Sequence, residues 1–362
     1  MSRLFSETLA DLVPYVPGEQ PREAIDLKLN TNEHPWGPSP RAIEAIRQAA
    51  GDSLRLYPDY SALALRQAIA DHHQIHADQV FVGNGSDEVL AHIFKALFQR
   101  PGVLLVPDIT YSFYKTYCAL FQVRQERVPL AEDFSIDVDS YTAPRAEGIA
   151  GIIFANPNAP TGLALDLDQI SAILQANPDV PVVVDEAYVD FGAQTAVPLL
   201  EQFDNLVVVH TMSKSRALAG LRVGIAMASK EIVQALVRVK DSFNSYPVDS
   251  LAQAGALASI QDNDYFRKSC DAVMHARQVL TDDLVKLGFH VLPSMTNFVF
   301  ARHSAYDAKA ISQALRERGI LVRHFDQPRI DQYLRITVGT LEQCQRLCST
   351  LTSIFDDFPV TN

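Results

Sequence analysis

The sequence predicts an α/β fold: a mostly parallel sheet covered by helices, followed by a smaller α+β unit. Three observations carry this. Short apolar runs recur at Gln79–Val82, Val103–Val106, Ile149–Ala155, Val182–Asp185, Leu206–His210 and Arg222–Ala228, with helical or turn-rich segments between them. Such runs joined by crossovers mark a parallel sheet buried on both faces. After Pro247 the rhythm gives way to long helices and isolated strands. The length, 362 residues, exceeds that of one usual core, so two units are expected.

The elements follow in order. Ser39-Pro40 opens a helix as cap and first-turn proline, Ile43 and Ile46 give its apolar face, and Gly51 stops it. The strand at Gln79–Val82 runs into Gly83-Asn84-Gly85-Ser86-Asp87-Glu88 and then a helix with Val89, Leu90, Ile93, Phe94, Leu97 and Phe98 on one side. Beyond Pro247, helices are expected near Asp249–Gln261 and Asp264–Leu287, then a strand Asn297–Ala301 and a helix Asp307–Arg318. Strands Ile320–Arg323 and Leu334–Val338 and a helix from Leu341 close the chain. The expected division is an arm at 1–30 packing on the small unit, a large unit at 31–250 and a small one at 251–362. No repeat, low-complexity tract or linker is visible.

Composition narrows the function. A formal net charge of −12 and a pI near 5.3 disfavour nucleic acid and anionic membrane, which need a basic surface. An anionic substrate must then be held by a few local cations. Glu7 and Asp11 precede any long apolar stretch, which argues against a secretory signal. The longest uncharged stretch, Gly148–Leu165, is broken by Asn156, Pro157, Asn158, Pro160 and Gly162 and cannot span a bilayer as a helix. Cys118, Cys270, Cys344 and Cys348 form no Cys-x-x-Cys pattern, and a reduced cytoplasm fits them.

The chemistry gathers at strand ends. Lys214, in Thr211-Met212-Ser213-Lys214-Ser215, follows an apolar strand and precedes Arg216 and the turn Ala219-Gly220-Leu221-Arg222-Val223-Gly224. An amine among hydroxyls and arginines suits an aldehyde cofactor that carries a phosphate. Asp185, at the end of Val182-Val183-Val184, would be a buried acid in need of a partner. A buried acid and a later lysine are what pyridoxal 5′-phosphate needs: the aldehyde takes the amine, and the ring nitrogen takes the carboxylate. The amides of Gly85, Ser86 and Asp87, opening a helix, would face the phosphate. That segment alone also fits a dinucleotide loop, with Asp108 as the ribose acid, although it lacks the third glycine. His72 and His76 lie one helical turn apart. With no matching carboxylate later in the chain, a solvated face is expected there and no metal.

Asn158-Ala159-Pro160-Thr161-Gly162, Asp185-Glu186-Ala187-Tyr188, Ser213-Lys214 and Leu221-Arg222-Val223-Gly224 resemble, in order, the signature blocks of the fold-type-I pyridoxal-phosphate aminotransferases. Leu12–Gly18, Asn30-Thr31-Asn32-Glu33, Leu56-Tyr57-Pro58-Asp59, Gly83–Glu88 and Leu334–Gly339 extend the match over nearly the whole chain.

The resemblance implies a seven-stranded-type sheet and a cytoplasmic homodimer. It implies reversible transfer of an amino group from L-histidinol phosphate to 2-oxoglutarate in histidine biosynthesis, giving imidazole-acetol phosphate and L-glutamate. The same blocks occur in aromatic amino-acid aminotransferases and phosphothreonine decarboxylases, which stay as alternatives. In catalysis it implies a Schiff base on Lys214, with Asp185 on the ring nitrogen and Tyr188 on the phenolic oxygen. Tyr111 would stack on one face of the ring with Ala187 on the opposite face, and Ser213 and Arg222 would complete the phosphate cup. Tyr57 would reach the phosphate of the neighbouring subunit. Arg323, Arg335 and Tyr15 would hold the distal anion of the substrate, with Asn30, Asn32 and Glu33 near it and His34 where the family commonly has asparagine. Ala159 stands where the family carries asparagine before Pro-Thr-Gly, so Asn158 or Asn156 is expected to substitute.

Overall fold

The computed structural model describes residues 4–5, 9, 12–16, 18–20, 25–145 and 147–357. Of the expected arm, residues 1–3, 6–8, 10–11, 17 and 21–24 lie outside the described residues.

The arm ends in β1 (Leu27–Lys28). Helix α1 (Pro40–Ala49) begins as expected, Ser39 Oγ accepting from Arg41 N. Helix α2 (Leu63–His73) buries Leu65 and Ile69 and leads to β2 (Val80–Asn84). Helix α3 (Gly85–Ile93) starts without a break from that strand. Then alternate β3 (Val103–Pro107), α4 (Phe113–Leu120), β4 (Gln125–Val128), the short α5 (Asp139–Thr142), β5 (Ile149–Ala155), α6 (Leu167–Ala176), β6 (Val182–Asp185), β7 (Leu206–Thr211) and β8 (Val223–Ala228). β4 has no long apolar run, because it lies at a sheet edge with only Val128 buried, and so it escapes a hydrophobicity reading.

These strands make one seven-stranded sheet in the order β2-β8-β7-β6-β5-β3-β4. β8 runs antiparallel to both neighbours, and the other pairings are parallel. Only a tight non-crossover stretch joins β7 to β8, too short to return the chain in parallel. β5 to β8 are buried on both faces almost throughout, each fully buried Val or Ile contributing about 1.5–3 kcal/mol.

Beyond it come α7 (Lys230–Phe243), α8 (Ser250–Gln261), α9 (Asn263–Lys286), β9 (Phe289–Val291), β10 (Phe298–His303), α10 (Ala308–Glu317), β11 (Ile320–Leu321), β12 (Arg323–His324), β13 (Leu334–Thr337) and α11 (Leu341–Asp357). The single strand expected at Ile320–Arg323 is two: β11 pairs in parallel with β1 of the arm, and β12 turns to pair with β13. Sheet β12-β13-β10-β9 packs with α9, α10 and α11 around Val273, Leu280, Ile311, Leu347 and Ile336. Helix α8, expected with this second unit, instead places Ala252, Ala256 and Ile260 in the core of the large sheet, against α1 and α2. No helix among the described residues is long and apolar enough to cross a membrane.

Candidate active site

The carboxyl ends of the parallel strands β5, β6 and β7, the end of β2 and the start of β8 all open on one rim of the large sheet, where α/β sheets place ligands. Asp185 ends β6 there and is buried. Its Oδ2 accepts from Tyr114 Oη at 2.7 Å, while Oδ1 has no partner among the described residues. Burial pushes the carboxyl up to about 6, against the hydrogen bond from Tyr114 and the pull of the nearby Ala187 amide. A buried acid oxygen without a donor is the complement of a protonated ring nitrogen. Tyr114 was missed from sequence: among Phe113, Tyr114 and Tyr117 of α4 it reads as one more core aromatic.

Lys214 lies just past β7, its Nζ donating to Thr31 O at 3.2 Å and standing 5.7 Å from the centre of the Tyr188 ring. Tyr188 Oη accepts from Asn32 Nδ2 at 2.9 Å. Asn32 itself is locked by Thr337, which donates to its Oδ1, and by Asn297, which donates to its carbonyl. This ties the rim to β13 and to the start of β10.

Next to Lys214 the backbone closes into a cup. Gly85, at φ +78°, opens α3, and a Cβ on it would run into the Arg222 guanidinium. A Cβ on Gly224 would strike the Gly85 carbonyl carbon and the Ser86 nitrogen, so β8 and the α3 N-terminus approach more closely than alanine permits. Arg222, itself left-handed at φ 53°, donates to Asp87 Oδ2 at 3.1 Å and reaches Ser213 Oγ at 3.5 Å. Tyr111 donates to the other Asp87 oxygen at 3.1 Å and lies edge-on to Tyr114. Amides at a helix start, a serine hydroxyl and a guanidinium fit a phosphate. With Asp185 and Lys214 alongside, the residues present fit pyridoxal phosphate.

A second cavity of about 550 Å³ adjoins this site towards the second sheet, sharing Lys214 and Arg222 and with Tyr15, Asn30, Arg323 and Arg335 on its wall. Arg323 and Arg335 face each other across the β12–β13 pair. Arg335 donates to Asn30 O at 2.9 Å, and its buried Nε has no partner among the described residues. Burial draws the Arg335 pKa down; Tyr188 opposes this and Arg323 adds to it. Two neighbouring guanidiniums with unused donors call for an anion. Tyr15 packs on Phe113 at 4.8 Å. Glu33 lines the Lys214 end, bonded by Lys28 at 2.5 Å and by Thr31. Burial raises the Glu33 carboxyl, and these bonds and the Lys214 charge more than reverse it, leaving it below its ordinary value.

Three expectations are corrected, those for Asn158, Asn156 and the dinucleotide loop. Asn158 does not face the cavity: its Nδ2 donates to Ile109 O and Thr161 Oγ1, and its Oδ1 accepts from Thr110. Asn156 is likewise spent on both backbone groups of Leu165. The wall position belongs to Ala159 itself, so this site has no side-chain amide there. His34 turns inwards, its Nδ1 bonded to the Trp36 backbone. The dinucleotide alternative also falls, because β2 lies at the sheet edge, antiparallel to β8, and Asp108 is taken by Leu130 N and Arg329. Tyr57 lies away from this rim, exposed and stacked on Tyr246 at 4.7 Å.

Residues 24–351 match the family model described as aminotransferase class I and II. The chain belongs to that family. Among the relatives of this aminotransferase, histidinol-phosphate aminotransferase 1 of Bordetella parapertussis is 58% identical, over 98% of this chain and 99% of that protein. Histidinol-phosphate aminotransferase 1 of Pseudomonas aeruginosa is 56% identical over 97% and 99%. The solved histidinol-phosphate aminotransferase of Sinorhizobium meliloti, in complex with pyridoxal-5′-phosphate, superimposes with a TM-score of 0.87 at 25% identity, covering 99% of both chains.

Proposed function

We propose that this aminotransferase uses pyridoxal 5′-phosphate to move the amino group of L-histidinol phosphate to 2-oxoglutarate, yielding imidazole-acetol phosphate and L-glutamate. The observation that carries it is a pair of adjoining cavities sharing Lys214 and Arg222 on their walls, one holding a buried carboxylate with an unpartnered oxygen among the described residues and the other a paired guanidinium site. When bound, the cofactor supplies an electron sink for negative charge on the substrate carbon.

The chain supplies the rest. Gly85, Ser86, Asp87, Ser213 and Arg222 would hold the cofactor phosphate. Asp185 keeps a negative charge against the ring nitrogen, and Tyr114 fixes the direction of that carboxylate. Tyr188 would donate to the phenolic oxygen while accepting from Asn32, and Tyr111 would cover one face of the ring. Lys214 Nζ takes the proton from the substrate carbon bearing nitrogen and returns one. Arg323 and Arg335 hold the phosphate of one substrate and the distal carboxylate of the other in turn, which suits alternate occupancy of one site. Tyr15, Asn32 and Glu33 flank it.

Exposed Leu54, Leu56, Tyr57, Leu63, Phe243 and Tyr246 supply an apolar face for a second copy, from which Tyr57 would reach the neighbouring site. A cytoplasmic location accords with the free cysteines.

The test is an amino-donor comparison of histidinol phosphate with phenylalanine, 2-oxoglutarate being the acceptor. A clear preference for histidinol phosphate is expected. Equal turnover would mean an aromatic aminotransferase, and carbon dioxide released from phosphothreonine would mean a decarboxylase. Borohydride reduction should leave a pyridoxyl group on the Lys214 peptide.

A further inference from the structure

A second buried acid stands beside Asp185. Glu186 is 2% exposed and accepts three hydrogen bonds, from Thr195 Oγ1 at 2.6 Å, from Ala196 N at 2.6 Å and at His210 Nε2, 2.8 Å away. Its own amide donates to Val209 O at 2.8 Å. Val209 lies opposite Asp185 in the β6–β7 register, and His210 is the next residue, so the histidine and both acids share one corner of the sheet. His210 is itself buried, with its ring edge-on to His73 of α2 at 5.2 Å, and His73 edge-on to His72 at 4.9 Å.

The charges around this corner set the state of the histidine. Facing His210 are Glu186, Asp185 and Asp190 from the end of β6 and its turn, and His73 and His72 from α2, with Arg216 acting on those two. Burial opposes charge on His210, but the Glu186 hydrogen bond and the three acids outweigh it and raise its pKa above the ordinary value. Burial drives His73 the other way, to about 2, so that ring stays neutral and does not compete. Adjacent buried carboxylates without a cation would repel each other and take up protons. His210 is the cation bonded to Glu186, while Arg216 acts on Asp190, and the His210 charge acts on Asp185 to favour the ionised form.

We propose that His210 is a positioning residue for the cofactor-facing carboxylate. As an imidazolium held on Glu186, it anchors the end of β6 and keeps Asp185 ionised, so that pyridoxal phosphate is bound more tightly while His210 is protonated. This rests on the assignment of Asp185 to the cofactor ring.

The experiment titrates wild-type, H210Q and H210R apoproteins with pyridoxal 5′-phosphate between pH 6 and 9, following absorbance of the bound cofactor. Glutamine keeps a donor for Glu186 without charge, and arginine keeps a permanent charge. With the Asp185 carboxyl at about 6, one pKa unit of coupling should raise the Kd of H210Q about twofold at pH 7 and about fivefold at pH 6, the gap to wild type closing towards pH 9. H210R should stay near wild type from pH 6 to pH 9. Equal weakening of both variants with parallel pH curves would reduce His210 to packing and overturn the proposal, as would H210Q binding like wild type. Should H210Q not fold, an NMR titration of the His210 ring in the wild type decides: it is expected charged at pH 7, and a neutral ring overturns the proposal. A wild-type chain that takes up no pyridoxal phosphate overturns the cofactor assignment itself, a result distinct from normal binding with insensitive variants.

Discussion

Replacing Asp185 by asparagine should stabilise the cofactor-free protein while weakening its hold on the cofactor. The folded carboxyl sits at about 6 because it is buried, against an ordinary value of 3.8. A raised acid binds its proton more tightly when folded. Its contribution is therefore complete below 3.8 and lost as pH rises through about 6. At pH 7.5 the ionised, half-partnered carboxylate costs the fold about 3 kcal/mol. Asparagine still accepts from Tyr114 but leaves an amide donor unpaired, which returns about 1–2 kcal/mol of that gain. The net expectation is roughly 1–2 kcal/mol of added stability at pH 7.5, turning into a loss of about 1–2 kcal/mol near pH 4 where only the amide cost remains. Removing one partner of a buried charge pair costs about 3–5 kcal/mol, so cofactor affinity should fall at least ~100-fold. Urea unfolding of both apoproteins at pH 4.5, 6 and 7.5, with cofactor titration at pH 7.5, measures both. A variant less stable at pH 7.5, or a gain that ignores pH, would refute the burial argument. Unchanged affinity would refute the ring-nitrogen role.

Lys214→Ala should fold, since among the described residues Nζ makes a single hydrogen bond, to Thr31 O, yet turnover should drop at least ~10³-fold in steady-state assays, with no borohydride-trapped cofactor on that peptide. Arg335→Lys loses the fork and should raise KM about 10–100-fold for both histidinol phosphate and 2-oxoglutarate. An effect on one substrate alone would contradict a shared anion site. Gly224→Ala drives a methyl into the Gly85–Ser86 peptide and should cost about 1–3 kcal/mol in urea unfolding while weakening cofactor binding. Phe243→Asp, on the exposed apolar face, should shift sedimentation towards a monomer.

Strands buried on both faces declare themselves, because the positions along β5 to β8 short of the Asp185, His210 and Thr211 rim are apolar or glycine whichever way they point. β4 at the edge carries Gln125, Glu126 and Arg127 and has no such constraint. The split of β11 from β12 was equally hidden, since it depends on which partner each dipeptide meets, the arm or β13.

The same division holds at the site. Lys214, Asp185, Arg222 and the glycines that let α3 meet β8 are visible in the chain because their chemistry or backbone shape tolerates no other residue type. Asn158 and Asn156 misled because an amide serves a loop as well as a ligand, and only the hydrogen bonds to Ile109, Thr110, Thr161 and Leu165 show which use prevailed. Tyr114 and His210 were likewise invisible: one looks like core and the other like the end of a strand until the fold sets them against Asp185 and Glu186. Local sequence determined the strands, the helix starts and the reactive groups, since these depend on neighbours a few residues away. Which oxygen stays free, which amide is spent and which arginines face each other was decided by tertiary structure, because burial and charge are shared among residues far apart in the chain.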